Sequence, residues 1–351
     1  MISARLLGAL LVLAILPSAS AGQTPALAPY KYFRIGNATD APVTPRAGYA
    51  LMGGGTDLDE AFQWLCARAP GGDFLILRAH GDDDYNPYVQ KLCKLNSVAT
   101  LILPSREAAL DPFAAKTISH ASVIFIAGGD QANYINFWMG TPVQTALNDA
   151  IQRGVPLGGT SAGLAVLGEW AYSAQGDKPD DKDLDSKTVL ADPFHPRVTL
   201  VHGFLNIPIL KSIITDTHFA KRDRMGRLLV FLSRIQMAVI PQGISKTRSD
   251  GAQDIRGIGV QERAAVLVEP TGEARVVGQG AAYFVDATKA AGQLQGVSSV
   301  GKGSDYGPFE VQKVSPGHTF NLKSWTGNAT HYTLSVEKGV IHSTQPGGSI
   351  Y

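Results

Sequence analysis

Residues 153–173, RGVPLGGTSAGLAVLGEWAYS, contain the pattern that decides the fold. The stretch RGVPLGGTS predicts a strand that ends in a tight glycine turn, and AGLAVLGEWAYS predicts the helix after it. Within the turn, Gly159, Ser161 and Gly163 form the pattern G-x-S-x-G. Between a strand and a helix, this pattern is typical of a serine exposed on a sharp elbow.

The same alternation of strand and helix extends toward the amino terminus. Strands are predicted in AGYALMGGG, GDFLILRAHG, VATLILPS and SVIFIAGG, and helices in DLDEAFQWLCARA, DYNPYVQKLCKL and QANYINFWMG. This order predicts an α/β fold with a mostly parallel sheet flanked by helices. The glycine-rich turns at 53–55, 128–129 and 158–159 should converge at the carboxyl ends of the strands, where such sheets bind ligands.

The chain of 351 residues divides into four predicted segments. Residues 1–21, with Arg5 before a short apolar run and ASA at its end, predict a signal peptide and therefore secretion to the periplasm or the medium. Residues 22–47 are rich in Pro, Ala and Thr and predict an irregular segment. Residues 48–288 form the predicted α/β catalytic domain, and residues 289–351 a β-rich extension.

Charge and motif content argue against several classes of partner. Of the 31 basic side chains only Arg5 lies in the signal segment, without any acid, so 30 basic and 30 acidic side chains remain after cleavage. This balance disfavours nucleic acid, and no later stretch is long and apolar enough to span a membrane. No metal-ligand spacing and no cofactor motif is found. Cys66 and Cys93 form either one disulfide or two buried thiols.

A nucleophilic serine needs a base and donors for the oxyanion. Ser161 is the predicted nucleophile, and the N–H of Ala162, at the start of the next helix, is a predicted oxyanion donor. His218 in ITDTHFAKRDRMGRLL follows an apolar run and is the predicted base. His80, in RAHGDDD, also follows a strand and is the alternative.

The orienting acid is expected in the loop after the elbow helix. Asp177 is the predicted acid because it is the nearest to that helix, with Asp180 and Asp181 as alternatives. In a helix after His218, Arg222 would lie one turn away on the same face. An arginine fork beside the base is suited to a substrate that contains carboxylates.

Three stretches in this order, IAGGDQANYINFW, LGGTSAGLAVLGEW and ITDTHFAKRDRMGRLL, resemble the cyanophycinases, serine peptidases grouped with aspartyl dipeptidase. The resemblance covers about residues 48–285. It implies a class I glutamine-amidotransferase-like fold, with Ser161 attacking and His218 as the base. It also implies that Gly129 is a second oxyanion donor and that Gln131 contacts the substrate. Thr217 departs from the family, whose intracellular members tend to have Gln there.

The implied substrate is cyanophycin, a polyaspartate with arginine on each side-chain carboxyl, and the implied product is the β-Asp-Arg dipeptide. The substrate contacts expected by resemblance are Arg222, Arg224 and Arg227. A homodimer is one implied assembly. Two alternatives stay open on the sequence alone: a related serine peptidase for other aspartyl or isopeptide substrates, and a binding protein that keeps the fold without activity.

Overall fold

The computed structural model describes residues 28–178, 180–239, 254–290 and 305–351. The predicted signal peptide lies outside the described residues. The helices are α1 Asp59–Cys66, α2 Tyr85–Leu92, α3 Arg106–Leu110, α4 Pro112–His120, α5 Gln131–Trp138, α6 Pro142–Gln152, α7 Ala162–Ala165, α8 Ser186–Ala191 and α9 Met225–Val239.

The strands lie in two sheets. They are β1 Lys31–Gly36, β2 Tyr49–Met52, β3 Asp73–Arg78, β4 Ser97–Ile102, β5 Val123–Ile126, β6 Leu157–Thr160, β7 Trp170–Tyr172, β8 Leu200–His202, β9 Ile213–Asp216, β10 Arg256–Val260, β11 Ala264–Val268, β12 Glu273–Gly278, β13 Ala282–Asp286, β14 Tyr306–Val314, β15 Thr319–Asn321, β16 Thr326–Gly327, β17 Thr330–Glu337 and β18 Val340–Ser343.

The first sheet has the order β1-β4-β3-β5-β6-β2-β11-β12-β15-β16. Its centre, β4-β3-β5-β6-β2, is parallel throughout. Strands β4, β5, β6 and β2 are buried along their whole length, as expected for parallel strands that are covered on both faces. The α/β class predicted from the sequence is confirmed.

The segment predicted to be irregular contains a strand. β1 pairs antiparallel with β4 from Lys31 to Gly36 and covers the edge of the parallel core. Exposed and partly buried residues alternate only weakly along β1, so the strand lacks the regular alternation of polar and apolar residues that would have predicted it. Covering the edge removes a row of unpaired backbone groups from solvent, which is a common reason for such strands.

The second sheet was not expected from the sequence. Its order is β18-β17-β14-β13-β10-β9-β7-β8, with β7, β9 and β10 parallel to one another and the other pairs antiparallel. The carboxy-terminal β-rich region is present, but its strands extend both sheets: β14 pairs with β13, and β15 pairs with β12. This region therefore packs as part of the same cores.

The helix predicted after Ser161 is much shorter than expected. α7 ends at Ala165, and β7 begins at Trp170. Gly168 lies between them, where an added Cβ would come 2.6 Å from the Ile213 carbonyl oxygen. This close approach lets the chain pass from the first sheet into the second.

A disulfide joins Cys66, at the end of α1, to Cys93, just after α2. The structure thus decides between the two states that the sequence left open. Both cysteines belong to the apolar cluster that covers one face of the first sheet. None of the helices in the described ranges has the length and apolar character needed to cross a membrane.

Candidate active site

Ser161 lies on a strained turn between β6 and α7. Its backbone has φ +51° and ψ −119°, a conformation that a non-glycine residue adopts only when its surroundings impose it. An added Cβ on Gly163 would lie 2.0 Å from the Ile126 carbonyl oxygen, and one on Gly159 would lie 2.6 Å from the Gly163 backbone. Both glycines of the G-x-S-x-G pattern are therefore required by close backbone packing.

His218 lies next to this serine. The Ser161 Oγ and His218 Nε2 are 2.7 Å apart. β9 ends two residues before His218, which has φ +47° and whose N–H donates to the Gly53 carbonyl at 2.8 Å. An added Cβ on Gly54 would lie 2.5 Å from the imidazole ring, so the glycine turn after β2 shapes the slot that holds it.

Glu262 is the acid that contacts the histidine. Its Oε1 lies 2.7 Å from His218 Nδ1, and Lys221 Nζ lies 3.5 Å from its other oxygen. The hydrogen bond to His218 lowers the pKa of Glu262. Burial lowers the pKa of His218, the charges of Arg222 and Arg224 lower it further, and the bond to Glu262 raises it. The neutral imidazole can then donate from Nδ1 to Glu262 and accept the serine proton at Nε2.

The position of Asp177 corrects the sequence prediction. Its Oδ1 accepts a hydrogen bond from Arg197 Nε at 2.6 Å, and the Tyr172 hydroxyl donates to the same carboxylate. Asp181 lies 3.6 Å from Arg197 as well, and its carboxylate caps the N–H of Lys178. These acids thus stabilise their own loop, and nearness along the chain to α7 was a poor guide.

Glu262 could have been found from strand pairing. It lies in the turn between β10 and β11, and β10 pairs in parallel with β9. Residues at the carboxyl ends of adjacent parallel strands lie close together, so an acid after β10 is placed beside His218 after β9. The sequence shows both strands, but it does not show that they are neighbours.

The turn after β5 packs against the nucleophile. An added Cβ on Gly128 would lie 3.5 Å from the Ser161 Cβ. Gly129 has φ +151°, and the hydroxyl of Tyr134 donates to the carbonyls of Ala127 and Gly128, which fixes the turn. Ala162 is the first residue of α7, where a helix has no internal partner for its N–H groups.

The three arginines predicted as substrate contacts have different surroundings. Arg222 lines the cavity at Ser161 with a side chain 41% exposed and donates to Asp183 at 2.7 Å. Arg227 is buried and makes a two-pronged ion pair with Asp216. Arg224 is buried too, and burial, followed by the charge of Arg227, lowers its pKa to about 10.

The buried pair corrects the expectation that all three arginines face the substrate. Arg224 donates to the Thr217 carbonyl and hydroxyl at 3.0 and 2.9 Å and also contacts Asp183. Arg222 does lie one turn after His218, because the Arg222 N–H donates to the His218 carbonyl, but this turn is not part of a helix. The helix itself begins only at Met225.

A cavity of about 690 Å³ opens at Ser161. The residues that line it come from the carboxyl ends of the strands and from α2: Gly54, Gly55, Asp57, Arg78, Asp84, Tyr85, Tyr88, Gly128, Thr160, Ser161, His218, Arg222 and Glu262. The residues lining it do not include Gln131, which begins α5, or His80, whose carbonyl accepts a bond from Arg78. The alternative base is therefore not placed at Ser161.

Asp57 also lines the cavity, although it was not predicted as a site residue. Its carboxylate accepts hydrogen bonds from Thr160 at 2.7 Å and from the Tyr85 hydroxyl at 2.5 Å. Burial raises its pKa. Asp84, also in the wall, is exposed and pairs with Arg78 at 3.0 Å. The cavity wall thus contains Asp57, Asp84 and Arg78 near α2, and Arg222 near His218.

Comparison with known proteins gives one family. Residues 79–216 match the sequence model of peptidase family S51, a range that includes Ser161 and stops before His218. The chain is 29% identical to a cyanophycinase of Synechococcus elongatus over 170 residues, 48% of this chain and 43% of that protein. It is 26% identical to a cyanophycinase of Geminocystis herdmanii over 200 residues, 56% of this chain and 59% of that protein.

The chain spans about half the length of the curated relatives that it matches. Among solved structures, a peptidase from an acI-B1 Actinobacterium matches with a TM-score of 0.48 and 17% identity, over 79% of this chain and 98% of that one.

Proposed function

We propose that this chain, a cyanophycinase-like relative of peptidase family S51, is a secreted serine peptidase that hydrolyses cyanophycin to β-Asp-Arg dipeptides. The observation that supports it most is the unbroken chain of contacts from Ser161 through His218 to Glu262, each 2.7 Å long. Nucleophile, base and orienting acid in this geometry define a triad, whatever the order of the residues along the chain.

The chemistry follows from these contacts. His218 Nε2 takes the proton of Ser161 as Oγ attacks the scissile carbonyl carbon, and Glu262 stabilises the imidazolium that forms. The N–H groups of Ala162 and Gly129 are proposed to bind the oxyanion. The imidazolium then gives its proton to the leaving amine, which leaves an acyl group on Ser161. Water, deprotonated by His218, releases the acid and restores the serine.

The charges of the cavity fit a substrate with groups of both signs. Arg222 is exposed in the cavity and can bind a free carboxylate of the substrate, whereas Arg224 and Arg227 have buried partners of their own. Asp84, whose exposed carboxylate lies beside Arg78 in the cavity wall, can bind a guanidinium. Cyanophycin has carboxylates and guanidinium groups along its whole length.

Two further parts of the proposal rest on the fold and the sequence. The five parallel strands covered by helices support a class I glutamine-amidotransferase-like arrangement. The Cys66–Cys93 disulfide supports secretion, because disulfides persist in oxidising compartments.

The test is digestion of insoluble cyanophycin by the purified mature protein, with Ser161→Ala as the matched control. Mass spectrometry should find β-Asp-Arg in the wild-type reaction alone. Release from cyanophycin by both proteins would refute the proposal. Turnover of isoaspartyl or α-aspartyl dipeptides without release from cyanophycin would replace the substrate and retain the serine peptidase.

A further inference from the structure

The turn that holds His218 is strained at two points. Residues 218–224, here called the histidine turn, connect β9 to α9, and His218 and Asp223 both have φ +47°. Neither residue is a glycine, so the surrounding structure must hold both of them in the left-handed region. The contacts that hold this turn therefore also determine where the imidazole lies.

We propose that Tyr351 is a positioning residue that holds the histidine turn in its productive shape; this inference rests on the proposed role of His218 as the base. The Tyr351 hydroxyl accepts a hydrogen bond from the Met225 N–H at 2.9 Å and donates to Asp223 Oδ1 at 2.8 Å. It thus connects the strained residue to the first residue of α9.

The ring of Tyr351 holds the other part of the turn. It lies edge-on to Phe219 at 6.0 Å and to Tyr283 at 5.8 Å. Phe219 also packs on β10, where an added Cβ at Gly259 would lie 2.5 Å from the Phe219 ring. Phe219 is thus wedged between β10 and Tyr351, directly after His218 in the chain.

Tyr351 is itself fixed by the strands of the second sheet. The Tyr332 hydroxyl on β17 donates to the Ile350 carbonyl at 2.9 Å, and the Ser343 hydroxyl on β18 donates to the Ser349 carbonyl at 2.7 Å. Tyr351 therefore links the β-rich carboxy-terminal region to the histidine turn through its hydroxyl and its ring.

Loss of the Tyr351 hydroxyl should let the turn relax and admit water to His218. The charged groups that face the imidazole are Glu262, Arg222 and Arg224, with Lys221 behind Glu262. Burial is the largest cause of the lowered His218 pKa. A better-hydrated imidazole would therefore have a higher pKa, and the acid limb of activity would move to higher pH.

The test uses the labelling rate of Ser161 by a fluorophosphonate, which needs no substrate. Tyr351→Phe keeps the ring and should label about tenfold more slowly or worse, with its pH–rate profile shifted upward, because small displacements of a catalytic group have large effects. Tyr306→Phe removes a hydroxyl on β14 that has no hydrogen-bond partner among the described residues, and it should label like the wild type. Thermal unfolding is measured for each variant.

A Tyr351→Phe protein that labels at the wild-type rate with an unshifted profile would overturn the inference. If that variant does not fold, Asp223→Asn and Asp223→Gly decide, because both residues accept a positive φ and only Asn keeps the acceptor. Normal labelling by Asn and slow labelling by Gly supports the inference; equal rates overturn it. A wild-type protein that never labels would instead refute the proposed function.

Discussion

Replacement of Glu262 by Gln tests which acid orients the base. The substitution keeps the shape of the side chain and removes the charge 2.7 Å from His218 Nδ1. The Gln amide can also present its NH₂ to Nδ1, which would favour the tautomer that cannot accept the Ser161 proton. The fold should be unaffected, because Glu262 lies in a turn with 20% of its side chain exposed.

The size of the effect follows from the lost charge pair. Two unit charges roughly 4 Å apart interact by about 4 kcal/mol at an effective dielectric of about 20, and solvent screening of the partly exposed Glu262 makes this the upper end of a range of about 2–4 kcal/mol. The imidazolium is formed only during the reaction, so the loss falls on kcat. We expect kcat to fall about 30- to 900-fold, with KM little changed.

The pH profile gives a second readout of the same change. Glu262 raises the pKa of His218, so its removal should lower that pKa and move the acid limb of kcat/KM to lower pH. The matched control is Asp177→Asn, which breaks the pair with Arg197 and should lower the melting temperature while kcat stays within about threefold. A large loss of kcat in Asp177→Asn and a small one in Glu262→Gln would refute this assignment.

Four further outcomes are expected. Arg222→Ala should raise KM for cyanophycin about tenfold and leave the melting temperature unchanged. Arg227→Ala breaks a buried ion pair and should destabilise the fold by about 3–5 kcal/mol in denaturant titrations. A destabilised Arg222→Ala protein and a stable Arg227→Ala protein with a raised KM would exchange the two roles. For the wild type, kcat/KM should rise with pH to half its maximum below 6.5, because burial lowers the pKa of His218, and a midpoint above 6.5 would contradict this. Replacing Cys66 and Cys93 by Ala should lower the free energy of unfolding by about 3.5 kcal/mol for a separation of 27 residues, and an unchanged value would show that the disulfide adds no stability.

Much of the fold could be predicted because the central strands have a local signal. The five strands predicted before Ser161 and the three helices predicted between them all occur, since continuous apolar runs and amphipathic stretches mark them directly. The second sheet could not be predicted in the same way. Its order depends on which strands pair, and a run such as IGVQERAAVLVEP, residues 258–270, contains two strands that belong to different sheets.

In the candidate site too, residues in a local sequence context could be predicted, and those that depend on the folded chain could not. Ser161 and His218 each follow a strand in a local context that sequence can show, and the structure places them 2.7 Å apart. Glu262 depends on the parallel pairing of β9 with β10, which only the folded chain shows. Arg222 and Arg227 look alike in sequence, but one ends in the cavity and the other on the buried carboxylate of Asp216.

The most direct test of the proposed triad is the mass of the protein after reaction with a fluorophosphonate, with the adduct located by peptide mapping. We expect a single adduct on Ser161 in the wild type, none on Ser161→Ala, and strongly slowed formation on Glu262→Gln. An unmodified wild-type protein, or an adduct that persists in Ser161→Ala, would contradict the proposed triad.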